Sequence, residues 1–596
     1  MTLKLRGCWL VGLIGSVLPT AYSNPVVVAV PPQDAVRDLC RAADGEIRHY
    51  GWRHAEDGGR RRIYIASRDE GRTWSTHDVP KGAAEAMVKS PWSGDWIYFA
   101  PDWNTGKYCL LRSKIGPGDP KPERKVLDWW AQELRQIFPM KSRKRWIASF
   151  SDTRCERGEC YHAAIAYSDD DGRTWTRVQV KPVPNVPRLH AGDRRPHWYN
   201  DGCEPSVVER KDGSLLMAVR TSGEHHAFCT SSDGGETWSE GRENPAFWAA
   251  NTMPYLFRLS DGRLLFFWNN TAILPTRDLA EYPELGDGER SGQWETVFTN
   301  RDALHAAISD DDGQTWKGFR EVALTEPRNA GDFREIGNSR ENDKSVHQSQ
   351  ALELPDGKVL LAYGQNSAAR RIVIFDPNWL LETSREEDFR HGLGAVSNQL
   401  YVRSLSGGNR GWAGHCAWNR MPGATLLRDP DTDRPQPGQK RSFREVLQLT
   451  RVRDPRLVSD RQGVVWNFPA MTNGCVALVC RVAGAGFRLT LADHWMNPCD
   501  EVGPVRAELS VPLTKKDLPA DGWQTLTVDF DEAAGKARLS VDGRLLREIA
   551  LAGRSAFGLS YLHLQTLAEE TDAEGTYFRS FSAASQTSSN SQIPQR

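Results

Sequence analysis

The 596-residue sequence has no excess of charge of either sign. Lys and Arg number 76 against 77 Asp and Glu, for a formal net charge of −1. That balance excludes the broad basic surface that nucleic acid or an anionic membrane requires. After the first two dozen residues there is no long apolar run, which excludes a spanning helix from the rest of the chain. Paired CxxC motifs are missing, so a thiolate zinc site is not indicated. There is no P-loop and no dinucleotide-type glycine turn, and no motif implies a cofactor or a metal. Hydrophobic residues make up 39% and charged residues 26%, the composition of a globular chain that is not disordered. At this length more than one domain is expected.

The start of the chain has the pattern of an export signal. Lys4 and Arg6 precede an apolar stretch, Cys8 to Leu18, and Ala21-Tyr22-Ser23 puts small residues where a signal peptidase reads. Cleavage after Ser23 and a secreted or periplasmic location are expected, with no membrane attachment once the signal is removed. Ten cysteines remain, and export permits disulfides among them. Cys155 and Cys160 flank a short turn, and Cys475, Cys480 and Cys499 share one late region.

Glycine and tryptophan are abundant, at 51 and 22 residues, and a repeat accounts for part of both. Four octapeptides fit Ser-x-Asp-x-Gly-x-Thr-Trp without a mismatch: Ser67–Trp74, Ser168–Trp175, Ser231–Trp238 and Ser309–Trp316. In each, the Asp can accept backbone N–H bonds across a turn, the Gly can take a positive φ, and the Trp can begin the next strand. A second repeat alternates with the first, as Asp-Gly turns at Asp44-Gly45, Asp212-Gly213, Asp261-Gly262 and Asp356-Gly357. Asp-Gly between β-rich runs is a hairpin signal. Each unit is therefore about four strands in two hairpins, which must stack on its neighbours to bury a face.

The octapeptide resembles the Asp-box, or BNR repeat, of the sialidase (neuraminidase) superfamily, over about residues 30 to 405. The resemblance implies an all-β fold, a six-bladed β-propeller, across residues 24–408. From about Gly408 the repeat disappears, and residues 430–440 read as a linker or long loop. The strand-sized pieces beyond, including 523–549, are similar to a laminin-G or concanavalin-like jelly-roll β-sandwich, expected over 409–582. The tail, 583–596, is expected to be disordered.

The resemblance also implies a site: arginines gripping a substrate carboxylate, a Tyr polarised by a Glu, and an Asp as acid/base. Sialidases are the exception among glycosidases in using tyrosine as nucleophile. Glu204 begins one strand and Arg220 ends the next after the Asp212-Gly213 turn, so an antiparallel hairpin brings both to one mouth. They form either a site pair or a structural salt bridge. Arg301 stands eight residues before the Ser309 box and is the second carboxylate ligand. The Arg-Ile-Pro of the first family arginine is missing, with Arg37 the nearest substitute. Asp57 is the nearest carboxylate to the acid/base position. Where the resemblance places the nucleophilic Tyr, before Leu354-Pro-Asp-Gly357, this sequence has Gln348 beside His347. Gln cannot attack, whereas His347 can serve as acid or base. Trp198 and Tyr199 can shape a sugar subsite or belong to a plain connecting loop.

Two functions follow. One is an exported sialidase-like exo-glycosidase acting on terminal acidic sugars, sialic acid by resemblance, with Glu204, His347 and Asp57 catalytic and Arg220, Arg301, Arg37 and Gln348 binding. The variant form is an enzyme on another acidic sugar, a uronic acid, using His347 as acid/base. The alternative is a non-catalytic glycan-binding propeller. In each the partner is an acidic glycan or glycoconjugate, not nucleic acid.

Overall fold

The computed structural model describes residues 24–586 except 33, 55–58, 103–106, 129–132, 153–161, 187–200, 222, 250–251, 273–300, 325–344, 365–368, 402–419, 430–443, 456, 458–459 and 500–505. The expected signal, Asp57, Trp198, Tyr199, Cys155 and Cys160 lie outside the described residues, as does the side chain of Arg37.

The described chain is all-β, in antiparallel sheets. Residues 26–375 form six four-stranded sheets in chain order. The first runs Asp34–Arg41, Ile47–His54, Arg60–Ser67 and Ser75–Asp78. The later sheets open with Val88–Lys89, Glu133–Pro139, Asp201–Glu209, Tyr255–Arg258 and Gln350–Glu353. The sixth takes its fourth strand from the N-terminal side, where Val26–Ala29 pairs with Arg371–Phe375.

Each sheet buries one face against the sheet before it. Ile97 and Phe99 of the second sheet pack with Trp146 and Phe150 of the third, and Leu216 of the fourth with Phe266 of the fifth. Ile47 and Ile65 of the first meet Leu360 and Ile372 of the sixth. The opening strands of all six line one cavity of about 750 Å³, through residues such as Leu39, Val88, Ile137, Val207, Leu256 and Ala351.

Both repeats behave as local chemistry demands. The Asp-Gly turns join the first two strands of the first, fourth, fifth and sixth sheets, and their glycines take φ of +80 to +91°. The octapeptides join the last two strands of the first, third, fourth and fifth sheets. In the first, Asp69 Oδ1 accepts from Ser67 Oγ and from the Thr73 N–H, each at 2.8 Å, and Asp69 Oδ2 accepts from the Thr73 hydroxyl at 2.6 Å. The Trp74 Nε1–H donates to the Gly71 carbonyl at 2.9 Å. The other three tryptophans, Trp175, Trp238 and Trp316, repeat that bond.

The box glycine presses on the preceding sheet. A Cβ on Gly71, at φ +85°, would stand 2.4 Å from Leu360 Cδ1, whereas Gly45, also at φ +85°, has nothing within 4 Å. Gly71→Ala is therefore expected to cost about 2–4 kcal/mol against about 1–2 kcal/mol for Gly45→Ala, read as urea midpoints.

The box carboxylates are held low. At Asp69 the Thr73 hydroxyl contributes most. At Asp170, Asp233 and Asp311 partial burial pushes upward and is outweighed by the threonine hydroxyl and amide bonds, so all four lie at about 2. The unfolded chain thus binds more protons below the ordinary Asp value of about 4. The boxes' contribution is fully present above pH 4 and is lost as pH falls toward 2. Urea midpoints are expected to fall across that window, and less steeply when Asp170 and Asp311 are both replaced by Asn.

Beyond the 3-10 helix Pro377–Leu381 the strands change partners. Ser384–Glu387 pairs with the C-terminal strand Asp572–Ser585, and Val396–Ser397 with Gly463–Met471. The change falls ahead of residue 408, where loss of the repeat placed it. An eight-stranded sheet and a five-stranded sheet enclose Leu449, Trp466, Leu478, Phe487, Leu564 and Phe581. Ala583 and Ala584 pair on both sides of their strand, and Ser585 pairs with Gly474, so the tail begins later than 583. Cys475 and Cys480 are free thiols; five apart on one strand, they face opposite sides of the sheet and cannot bridge. Among the described residues, no helix is long and apolar enough to cross a membrane.

Candidate functional site

The end of the six sheets opposite the octapeptides holds the site residues read from the sequence that the structure describes. Opening strands start there, second strands finish there, and third strands begin there. Glu204, Arg220, Arg301 and the His347-Gln348 pair all sit at such positions, and so does the backbone of Arg37.

Glu204 lies in a break of register, between Cys203 and Ser206, in the strand Asp201–Glu209. Its φ is +47°, a strained value for a residue with a side chain. A bulge of this kind re-aims a side chain. The neighbouring sheets pin it. The Glu204 N–H donates to Ser151 Oγ at 3.2 Å, and Ser149 Oγ donates to the Pro205 carbonyl at 3.0 Å. Gln136 accepts from Ser206 Oγ at 3.0 Å and from the Val207 N–H at 2.6 Å, and donates to the Leu256 carbonyl at 3.0 Å. One side chain of the third sheet thereby fixes the fourth against the fifth.

The Glu204 carboxylate lies between two guanidiniums. Arg220 Nη1 donates to Oε2 at 3.0 Å, and Arg135 Nη2 donates to Oε1. The three side chains are 12%, 10% and 4% exposed. Two cations around one anion leave net positive charge in a poorly hydrated place, where a second carboxylate is electrostatically favoured.

Arg301, 3% exposed, lies just before the strand Ala303–Ser309, and its Nη1 is 3.1 Å from His347 Nε2. A guanidinium is always protonated and donates here, so His347 Nε2 accepts and the ring is neutral with its proton on Nδ1. The Val346 N–H donates to the Arg301 carbonyl at 2.9 Å, and the Gly364 N–H to the His347 carbonyl at 2.6 Å. Gln348 has φ +61°, so this segment is also held in an unusual backbone. Ser349 and Gln350, directly after it, line one small cleft with Arg135, Glu204, Met253 and Tyr255. The segment that carries His347 thus runs on into the cleft that Arg135 and Glu204 line.

A second His–Arg pair lies between the sixth sheet and the first. Arg370, fully buried, donates from Nε to His49 Nε2 at 3.0 Å and from Nη1 to the Gly364 carbonyl at 2.5 Å.

The structure thus brings together Glu204 with Arg220, and Arg301 with His347. It adds Arg135, His49 and Arg370, which sequence reading missed. Arg135 carries no motif; the only signal was its place at the head of an opening strand. Tyr255 is the cleft's tyrosine, but its hydroxyl takes the Ala351 N–H at 3.3 Å and burial pushes its pKa up to about 12, which keeps it protonated. Among the described residues, no group of three or more His, Cys, Asp or Glu side chains is placed to hold a metal.

A model of the BNR repeat-like domain family matches residues 135–333, the stretch holding Arg135, Glu204, Arg220 and Arg301. A comparison with curated proteins returns no match. Among solved structures, the chain is similar to a protein of unknown function from Dyadobacter fermentans, at 15% identity over 59% of this chain and 97% of that one, with a TM-score of 0.38. It is similar to a Trypanosoma rangeli sialidase in complex with sialic acid, at 13% identity over 92% and 91%, with a TM-score of 0.34. A third is the NanB sialidase from Streptococcus pneumoniae, at 13% identity over 60% and 70%, with a TM-score of 0.38.

Proposed function

We propose that the chain is an exported sialidase-like exo-glycosidase that removes terminal acidic sugars, built as a six-bladed β-propeller followed by a jelly-roll sandwich. Six sheets in chain order, the strand exchange between the N-terminal segment and the sixth sheet, and opening strands around one cavity support the propeller. The domain division then falls between Phe375 and Ser384.

The observation that carries the functional reading is the buried Arg135–Glu204–Arg220 group, with Arg301 at the same end of its sheet. It holds one anion between two cations on strained, heavily braced backbone. In this reading Arg220 and Arg301 fork the sugar carboxylate, Arg37 assists from the first sheet, and Glu204 orients Arg220 and Arg135. Asp57, which falls in sequence between Ile47–His54 and Arg60–Ser67, is the acid/base in this reading. Gln348 binds the sugar. His347, accepting from Arg301, positions that arginine. The uronic-acid form of the reading instead asks His347 to move protons.

One observation favours a second reading, a non-catalytic glycan-binding propeller: Gln348 stands where the resemblance places a nucleophilic Tyr. The test is sugar release from a panel of sialosides and uronic-acid glycosides, with Glu204→Ala and His347→Ala beside the parent chain. Release that survives both changes overturns the site. Tight binding without release supports the second reading.

A further inference from the structure

From a feature outside that arginine group, and resting on the acidic-sugar reading above, we infer that the mouth carries a second anion subsite, made by Arg53 and Arg61. It selects glycans with another negative charge beyond the terminal acidic sugar.

Arg53 and Arg61 are directly paired across the antiparallel strands Ile47–His54 and Arg60–Ser67. Both are exposed. Like charges placed directly opposite each other cost stability, and among the described residues neither guanidinium has a hydrogen-bond or ion-pair partner. The neighbouring pair shows the ordinary solution. Arg62, opposite Trp52, lies 4.6 Å over that ring and donates from Nε to Glu85 at 2.8 Å. Over residues 53–62 the sequence has four arginines against Glu56 and Asp57, and the two acids are outside the described residues.

Position gives the pair its use. His49, Gly51 and Arg53 alternate onto one face of the strand, and His49 on that face meets Arg370 of the sixth sheet. Arg53 is four residues further toward the mouth, about 13 Å. The first-sheet strands are eight residues long, against five for Val359–Tyr363 and Arg371–Phe375 beside them. The first hairpin therefore overshoots its neighbour and holds two cations with no partner among the described residues above the rim, more than one sugar ring from the buried arginines. A carboxylate or sulfate on a following sugar would relieve their mutual repulsion and take charge-assisted hydrogen bonds.

The experiment compares one-charge and two-charge ligands: sialyllactose against α2,8-disialyllactose, and an unsulfated chondroitin disaccharide against its tetrasaccharide, by calorimetry with the full chain. In the class that binds, the two-charge ligand is expected to bind about tenfold tighter at low salt. Arg53→Gln/Arg61→Gln should remove that preference and leave the one-charge ligand unchanged. Raising salt to about 0.5 M should shrink the preference, because exposed charges are screened there. Equal affinity of the parent chain for both ligands, or equal loss on both in the variant, overturns the subsite alone. Failure of every one-charge acidic ligand to bind overturns the functional reading and the subsite with it.

Discussion

Replacing Glu204 by Ala is expected to remove sugar release and to weaken the fold at the same time. Its carboxylate neutralises two guanidiniums that are 4% and 10% exposed. Removing one member of a buried ion group costs about 3–5 kcal/mol, because the remaining charges stay buried without a counter-charge. Catalytic efficiency is expected to fall about 10³-fold, since Arg135 and Arg220 would repel each other and Arg220 would turn away from the sugar carboxylate it should grip. Urea unfolding beside kcat/KM separates the two effects. Replacing the whole group with apolar residues, Arg135→Met, Glu204→Leu and Arg220→Met, removes the buried charge altogether. That triple variant is expected to recover much of the stability and none of the activity. A triple variant that keeps activity would show that the group is a structural brace.

The second large effect is at Arg301. Arg301→Met removes a cation that can fork a carboxylate, at about 1.5–3 kcal/mol per charged hydrogen bond, so KM is expected to rise about 100-fold with a smaller change in kcat. Lys in its place keeps the charge but not the fork and should restore only part of the binding. His347→Ala is the informative companion. If His347 only positions Arg301, KM rises about tenfold and the pH profile keeps its shape. Loss of one limb of that profile would instead make His347 the acid/base, as the uronic-acid form requires.

How much of this was legible depended on how far apart in the chain the partners lie. The octapeptides were readable because every bond that shapes them is local: Ser67, Asp69, Gly71, Thr73 and Trp74 satisfy one another. Glu204 and Arg220 were readable because one short hairpin joins them and antiparallel pairing does the rest. Arg135 was not, since it reaches Glu204 from a different sheet and nothing in Glu133-Leu134-Arg135 announces a site. His49 and Arg370 meet only because the sixth sheet lies against the first. The point where strands change partners was misplaced for a related reason. The repeat stops near 408, but Ser384–Glu387 is drawn into the later sheet by the far end of the chain, which no local pattern reveals. Arg37 and Asp57 rest on offset counting alone.

The pairing of Val26–Ala29 with Arg371–Phe375 has a consequence for how the chain comes to its fold. The sixth sheet cannot be completed from its own stretch of sequence, and the later eight-stranded sheet likewise takes Ser384–Glu387 together with Asp572–Ser585. Each of these two sheets is clasped by a strand distant in sequence, so neither is complete until its late partner has been made. Such long-range closure makes folding slow. It also makes the fold resistant to fraying, because opening at the N-terminal end gives up a strand of the sixth sheet.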